Sequence, residues 1–241
     1  MFATLASDIE AFAFDERVSR VFADMIRRSV PGYASVLAMT GVLAAEHVQS
    51  DSRIYDLGCS LGTGLIAMHE RLTQPCELIG IDNSEAMIAA CSDNLESLAE
   101  KPQIKTRLLC ADISQAPISN ASMVVMNYTL QFIEPEKRPQ LLRRLYDGMR
   151  PGGVLVLSEK LKFDDPETDQ RLTKLYYDFK KHNGYSELEI SQKRQALENV
   201  LIPETLETHL TRLSEAGFSR PISWFQCLNF CSLLAFKPLN S

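Results

Sequence analysis

The stretch Ile54-Tyr55-Asp56-Leu57-Gly58-Cys59-Ser60-Leu61-Gly62-Thr63-Gly64 decides the fold of this 241-residue chain. Ile54 to Leu57 predicts the end of a short buried strand, and the apolar run from Leu65 predicts the start of a helix. The small residues between them allow a tight turn and a close approach to a ligand, because a Cβ there would clash. The stretch therefore predicts a ligand-binding loop that leads into the free N–H groups of a helix.

An acidic residue follows the next predicted strand, Leu78 to Ile81. This residue is Asp82, twenty positions after Gly62. An acid at the tip of the second strand is placed to accept hydrogen bonds from both ribose hydroxyls of a nucleoside. The order of strand, loop, helix, strand and acid predicts a nucleoside site. The alternative is a structural turn with a solvated Asp82.

The loop also discriminates between classes of nucleoside ligand. It has no Gly-Lys-Ser/Thr ending, which argues against a P-loop that binds the phosphates of a nucleoside triphosphate. Asp56, just before the first glycine, would repel a pyrophosphate but can attract the ammonium of an amino acid. We therefore expect S-adenosylmethionine rather than a dinucleotide.

Composition excludes several other classes of function. A net charge of −6 and a pI near 5.3 argue against direct binding of nucleic acid. The six cysteines form no C-x-x-C pair, which fits a reduced, cytoplasmic setting, and the four histidines show no ligand spacing, so we expect no metal. The N-terminus has no signal-like pattern and no apolar run is long enough to span a membrane, so we expect no membrane association.

Strands alternate with helices from 54 to 158, which predicts an α/β fold with a doubly wound, Rossmann-like sheet. We expect this sheet to be mostly parallel, with a C-terminal antiparallel hairpin, N-terminal helices and a helical insertion before the last strands. The expected parts of a single domain over 1–241 are an N-terminal helical lid, a nucleoside-binding core, a helical insertion and a closing hairpin, at 1–50, 51–160, 161–212 and 213–241.

Further polar residues fall at predicted strand ends or hinges. Asp112 follows the strand 104–110 and would reach an adenine amino group, unless it is only a turn aspartate. Asn127 ends the fourth strand, and the polar residues after it are poor bases near neutral pH. Tyr33, at the junction of two N-terminal helices, fits lid contact with a ligand and plain helix packing equally well.

Four features together resemble the class I S-adenosylmethionine-dependent methyltransferases: the loop from Asp56 to Gly62, Asp82, Asp112, and Arg150-Pro151-Gly152-Gly153. The resemblance covers roughly 50–160 and the final hairpin. One departure is Ser60, where many members have glycine. Its side chain would either crowd the methionine moiety or donate a hydrogen bond to it.

Longer motifs are similar to the carboxy-S-adenosyl-L-methionine synthase family. They are Phe14-Asp15-Glu16-Arg17-Val18, Arg28-Ser29-Val30-Pro31-Gly32-Tyr33, Tyr55-Asp56-Leu57-Gly58-Cys59-Ser60-Leu61-Gly62, Ile81-Asp82-Asn83-Ser84, Asn120-Ala121-Ser122-Met123-Val124-Val125 and Asn183-Gly184-Tyr185-Ser186-Glu187-Leu188-Glu189-Ile190-Ser191-Gln192-Lys193-Arg194. The similarity spans nearly the whole chain, and its last motif lies outside the generic fold.

This resemblance implies that S-adenosylmethionine and prephenate yield carboxy-S-adenosylmethionine and phenylpyruvate. It also implies a homodimer, and a product that serves a separate tRNA carboxymethyltransferase acting on wobble uridine. Arg194 would meet the new carboxylate, from the partner subunit. The residues that would contact the nucleoside ligand are Tyr33, Gly58, Cys59, Ser60, Asp82, Asn83, Asp112, Ile113, Asn127 and Arg194.

Aromatisation of prephenate would drive that reaction, and its departing hydroxyl would remove a methyl proton, so no protein base is required. Candidates for the prephenate site are Arg17, Arg28, Tyr128 and Tyr185. Taken alone, Arg194 is also consistent with a solvated residue on a charged helix. Two rival functions remain at this point: an ordinary small-molecule methyltransferase, and a non-catalytic ligand-binding subunit of a tRNA-modifying enzyme.

Overall fold

The structure is a computed structural model that describes residues 16–197 and 200–240. The motif that begins at Phe14 lies partly outside these residues, as does the side chain of Arg17. The helices within the described residues are α1 (Glu16–Ser29), α2 (Tyr33–His47), α3 (Thr63–Arg71), α4 (Glu85–Glu96), α5 (Arg138–Gly148), α6 (Pro166–His182), α7 (Glu187–Leu197) and α8 (Leu206–Glu215), with one 3-10 turn at Leu130–Phe132. The strands are β1 (Ser52–Leu57), β2 (Cys76–Asp82), β3 (Ile104–Cys110), β4 (Ala121–Asn127), β5 (Met149–Lys160), β6 (Ser219–Cys227) and β7 (Phe230–Phe236).

These strands form one sheet in the order β3-β2-β1-β4-β5-β7-β6. The first five run parallel, and β7 pairs antiparallel with both β5 and β6. The predicted fold class is therefore confirmed, including its closing hairpin. The strand order reverses between β1 and β4, and in such sheets the crevice beside the carboxyl ends of these strands is where ligands bind.

The sheet is buried on both faces because helices cover each side. One apolar cluster packs β1, β4 and β5 against α5 and α8, with Leu141 and Leu213 at its centre. A second cluster on the other face packs the same strands against α2 and α3, with Leu65 and Met68 fully buried. Strands buried on both sides need nearly continuous apolar runs, which explains why these segments were recognisable from the sequence.

The segment Arg150-Pro151-Gly152-Gly153 lies within β5 rather than before it. The strand begins directly after α5, at Met149, and the four residues form an irregular stretch within it. Met149 pairs with Ala121 and Val154 pairs with Met123, so extra residues bulge from the ladder. Gly152 tolerates the bulge because its φ is 75°, a left-handed conformation that costs glycine little. The closing hairpin holds the bulge in place, since Gly152 N–H donates to the Lys237 carbonyl at 3.0 Å.

A network of buried charged residues connects the helical insertion to the start of α5. Arg138, fully buried at the start of α5, donates from Nε to the Ile133 carbonyl at 2.8 Å and pairs with Glu204. Glu204 also accepts two hydrogen bonds from Arg212 of α8. This network fixes the insertion beside the exit of β4.

Among the described helices, none is long and apolar enough to cross a lipid bilayer.

Candidate active site

A cavity of about 450 Å³ lies at the carboxyl ends of β1, β2 and β4. Helices α1 and α2 cover one side of it, and α6 and α7 of the insertion form the other. All ten residues predicted to contact a nucleoside ligand line this one cavity: Tyr33, Gly58, Cys59, Ser60, Asp82, Asn83, Asp112, Ile113, Asn127 and Arg194. The structure therefore brings the predicted set together, although their roles in binding stay predictions.

The glycine-rich loop is held close to its neighbours by backbone constraints. Gly58 has a φ of 76°, and a Cβ at this position would lie 2.4 Å from the Thr129 hydroxyl oxygen. Its N–H donates to the Ile81 carbonyl at 2.8 Å, which ties the loop to the tip of β2. A larger residue at Gly58 would displace the exit of β4, so glycine is required here for close approach rather than for flexibility.

Ser60 adopts a left-handed φ of 50°, a conformation that is uncommon for a residue other than glycine. Its N–H donates to Asp82 Oδ2 at 3.0 Å, and its hydroxyl donates to the Met87 sulfur at 3.4 Å. The hydroxyl is thus engaged with α4. The backbone N–H of Ser60 helps to orient the acid that the sequence predicts at the ribose.

Asp82 is positioned by two backbone donors from opposite sides. Ser60 N–H reaches one carboxylate oxygen, and Ser84 N–H reaches the other, each at 3.0 Å. Burial raises the pKa of Asp82, and the N–H donors of Ser84 and Ser60 oppose that rise. A carboxylate oxygen carries more than one lone pair, so capacity remains for two ribose hydroxyls.

Asp112 is more exposed, and its Oδ1 accepts from Ser114 N–H at 2.7 Å.

Asp56 supplies a buried carboxyl group at the bottom of the cavity. It is 3% exposed, and a Cβ on Gly64 would lie 2.5 Å from its Oδ2. Burial, reinforced by the negative charge of Asp82, raises the pKa of Asp56 to about 7. A buried carboxylate of this kind is costly without a cation beside it. It therefore suits a ligand that brings an ammonium group, as S-adenosylmethionine does.

Tyr33 connects the helical cover with the glycine-rich loop. Its hydroxyl shares a hydrogen bond of 2.9 Å with the Thr63 hydroxyl at the start of α3, and burial raises its pKa. Its ring lies 6.2 Å from that of Tyr128. Tyr33 thus packs a helix against the loop and also lines the cavity, and its contact with a ligand stays a prediction.

Tyr128 presents a buried hydroxyl to the same cavity. Within the described residues this hydroxyl has no hydrogen-bond partner. A buried polar group without a partner is costly, and a bound ligand would relieve that cost. Tyr128 has a φ of 61°, and Glu159 supports the turn that follows it by accepting from Leu130 and Gln131 N–H, each at 2.9 Å.

Arg194 lies on α7, where its exposed side chain reaches the rim of the cavity in its own chain.

Two candidates for the prephenate site, Arg28 and Tyr185, lie outside the cavity. Arg28 stacks over the Tyr185 ring at 4.3 Å and donates from Nε to the Asn183 carbonyl at 2.7 Å. Neither Arg28 nor Tyr185 is among the described residues that line the cavity. Their geometry indicates that they join α1 to the start of α7.

Three lysines that the sequence analysis did not single out also line the cavity: Lys160, Lys180 and Lys193. Lys180 and Lys193 are only 4% and 6% exposed. A weak signal was present, because Lys180 follows Tyr176 by four positions and Lys193 follows Ile190 by three, and both spacings place residues on one helix face. Lysines are rarely fully buried, so composition alone favours a solvated position for each.

The fold and this site place the protein in the superfamily of class I S-adenosylmethionine-dependent methyltransferases. The family model described as "Methyltransferase domain" matches residues 54–153. Human N-acetylserotonin methyltransferase, solved in complex with SAM, has a TM-score of 0.63 at 19% identity, covering 93% of this chain and 57% of its own. At that identity the likeness concerns the fold alone.

The particular family follows from full-length relatives. Carboxy-S-adenosyl-L-methionine synthase of Geobacter sp. (strain M21) is 51% identical over 238 residues, which cover 98% of this chain and 97% of the relative. The protein of the same name in Geobacter metallireducens is 55% identical over 227 residues, which cover 94% and 93%. The chain belongs to the carboxy-S-adenosyl-L-methionine synthase family and is an enzyme of the transferase class. Both resemblances drawn from the sequence are thereby confirmed.

Proposed function

We propose that this enzyme converts S-adenosylmethionine and prephenate to carboxy-S-adenosylmethionine and phenylpyruvate. The proposal is supported by the similarity of this chain, over 98% of its length, to a protein named carboxy-S-adenosyl-L-methionine synthase. It includes the insertion, which supplies Lys193 and Arg194 to the cavity wall.

The proposed reaction in this cavity needs no protein base, because its own leaving group takes the methyl proton. Among the described residues that line it there is no histidine and no glutamate. Asp56 and Asp82 are buried at the nucleoside end, and burial raises the pKa of Tyr128, which makes its hydroxyl a poor base. In the proposed reaction prephenate loses CO₂ and hydroxide, the hydroxide takes a proton from the sulfonium methyl group, and the resulting carbon captures the CO₂. The products are then phenylpyruvate, water and the carboxylated sulfonium.

The residues of the chain act by holding both reactants and excluding water. Asp82 would bind the ribose, Asp56 the ammonium of the methionine moiety, and Arg194 the new carboxylate through its planar pair of donors. The enzyme then accelerates the reaction by holding the two reactants close together in a cavity without water, and it forms no covalent bond with either of them. The cover formed by α1, with Phe22 and Met25 lining the cavity, suits this exclusion of water.

Incubation of the purified enzyme with S-adenosylmethionine and prephenate tests the proposal. The nucleoside should gain the mass of one CO₂, and phenylpyruvate should form in equal amount. Methyl transfer to prephenate, with release of S-adenosylhomocysteine, would instead indicate an ordinary methyltransferase. Saturable nucleoside binding without turnover would indicate a binding subunit.

The setting of the reaction is also a proposal. The family resemblance supports a cytoplasmic homodimer whose product is consumed by a separate tRNA carboxymethyltransferase at wobble uridine. The net charge of −6 fits an enzyme that does not bind the tRNA itself. Light scattering at several protein concentrations would test the homodimer, and the absence of carboxymethylated wobble uridine in a deletion strain would test the link to tRNA.

A further inference from the structure

Three lysines, Lys160, Lys180 and Lys193, lie near one another in the lining of the cavity and form its cationic end. Within residues 16–197 and 200–240, no carboxylate forms an ion pair with any of these three ammonium groups. Buried charges are normally paired, because removal from water is costly. Two buried lysines and the half-buried Lys160 thus line one cavity, and no carboxylate among the described residues compensates the positive charge they carry when protonated.

Aromatic rings and one hydroxyl surround these ammonium groups. Lys160 and Lys180 lie 5.3 and 4.6 Å from the centroid of the Tyr176 ring. Lys193 Nζ donates to the Ser29 hydroxyl at 2.8 Å. Ring faces attract cations but leave their net charge unchanged. The contacts therefore orient the three side chains without neutralising them.

Apolar ring surface adjoins the same lysines. Tyr128, Tyr176 and Phe230 form a buried cluster, in which the Phe230 ring lies 5.9 Å from that of Tyr128 and 5.2 Å from that of Tyr176. The unpartnered Tyr128 hydroxyl belongs to this cluster. A ligand that fits here carries a ring, more than one negative charge and at least one hydrogen-bonding group.

We propose that Lys160, Lys180 and Lys193 form the subsite of the second substrate and bind a ring-bearing dicarboxylate. The identification of that dicarboxylate as prephenate rests on the proposed function. Two carboxylates would favour the protonated forms of these lysines, and the ring of such a ligand would contact the neighbouring aromatic surface. Arg194 is then left for the carboxylate that forms on the methyl carbon.

Protonation of the lysines supports the same assignment. Burial, followed by the positive charges of Lys180, Arg28 and Lys160, lowers the pKa of Lys193 to about 7. Burial and then Lys160 lower the pKa of Lys180 to about 8, and burial also lowers that of Lys160 in spite of Asp169. An anion that binds beside these groups favours their protonated forms. Binding of the dicarboxylate near pH 8 should therefore take up protons from the buffer.

The test is a calorimetric titration of prephenate into protein saturated with S-adenosylhomocysteine, so that no turnover occurs. Lys180→Met and Lys193→Met should raise the dissociation constant of prephenate by about 10- to 100-fold. The affinity for S-adenosylhomocysteine should change by less than about threefold. The matched control is Lys181→Met, because Lys181 neighbours Lys180 but is exposed and pairs with Glu187 at 2.6 Å. It should bind prephenate as the unaltered protein does.

Two further readouts separate anion binding from a structural role. Proton uptake, measured from the buffer dependence of the heat, should fall in Lys193→Met. Thermal unfolding of both variants should occur at or above the temperature of the unaltered protein, because methionine keeps the volume while removing a buried charge. A retained fold with lost prephenate binding supports the subsite.

The outcomes distinguish this proposal from the proposed reaction. Unchanged prephenate affinity in both variants, or no binding of prephenate to the unaltered protein, would overturn the subsite. Retained binding with lost turnover would also overturn it, since a lysine would then act in the chemistry instead. Binding that depends on the lysines, without any carboxylated product, would leave the subsite standing and reject the reaction.

Discussion

Replacement of Asp56 by asparagine should stabilise the ligand-free enzyme at alkaline pH while weakening its affinity for S-adenosylmethionine. Burial and the charge of Asp82 raise the pKa of Asp56 from an ordinary 3.8 to about 7. The folded state therefore holds, between these two pH values, a proton that the unfolded chain releases. Stability falls as the pH rises through this window, and the full cost of the buried charge is present above pH 7.

The magnitude follows from the two pKa values. The difference between 3.8 and about 7 corresponds to about 4 kcal/mol of unfolding free energy at pH 8. Asparagine has the same shape but no charge, although its amide is itself a buried polar group. We therefore expect Asp56→Asn to gain about 2 to 4 kcal/mol at pH 8 and close to nothing near pH 4.

Denaturant unfolding of the ligand-free protein at several pH values between 4 and 8 measures this effect. The exposed Asp93 on α4 offers a matched control, since Asp93→Asn should change stability by less than about 0.5 kcal/mol at every pH. A stability difference for Asp56→Asn that does not grow with pH would refute the argument. So would undiminished affinity for S-adenosylmethionine, because the ammonium would then have another partner.

Three further predictions follow from the site and its support. Arg194→Ala should reduce carboxylated product while leaving the affinity for S-adenosylmethionine within about threefold, measured by product mass and calorimetry; equal loss of both would contradict its role. Asp82→Ala should weaken S-adenosylmethionine by about 1.5–3 kcal/mol in equilibrium binding, and an unchanged dissociation constant would exclude a ribose contact. Although burial opposes ionisation, hydrogen bonds from Arg212 and Arg138 lower the pKa of Glu204 to about 2. Glu204→Gln should therefore cost about 3–5 kcal/mol in denaturant unfolding, and a loss below 1 kcal/mol would show that the pairing is not stabilising.

The insertion shows where sequence patterns reach their limit. The motif from Asn183 to Arg194 identified the family, and Ser186 and Glu189 form reciprocal capping contacts at the start of α7. By composition alone, the lysines of this insertion favour solvated positions. Packing of α6 and α7 over the strand ends instead buries Lys180 and Lys193. Burial of a charge depends on what lies opposite it, and a local pattern does not contain that information.

The sequence by itself determined the strand, the glycine-rich loop and the acid at the next strand tip. Each depends on local requirements, such as apolar runs for buried strands and small residues for close approach. Only the tertiary structure decided that β5 bulges at Gly152 and that three distant lysines face one cavity. Those features arise from contacts between elements far apart in the chain, where sidedness and distance are set by packing.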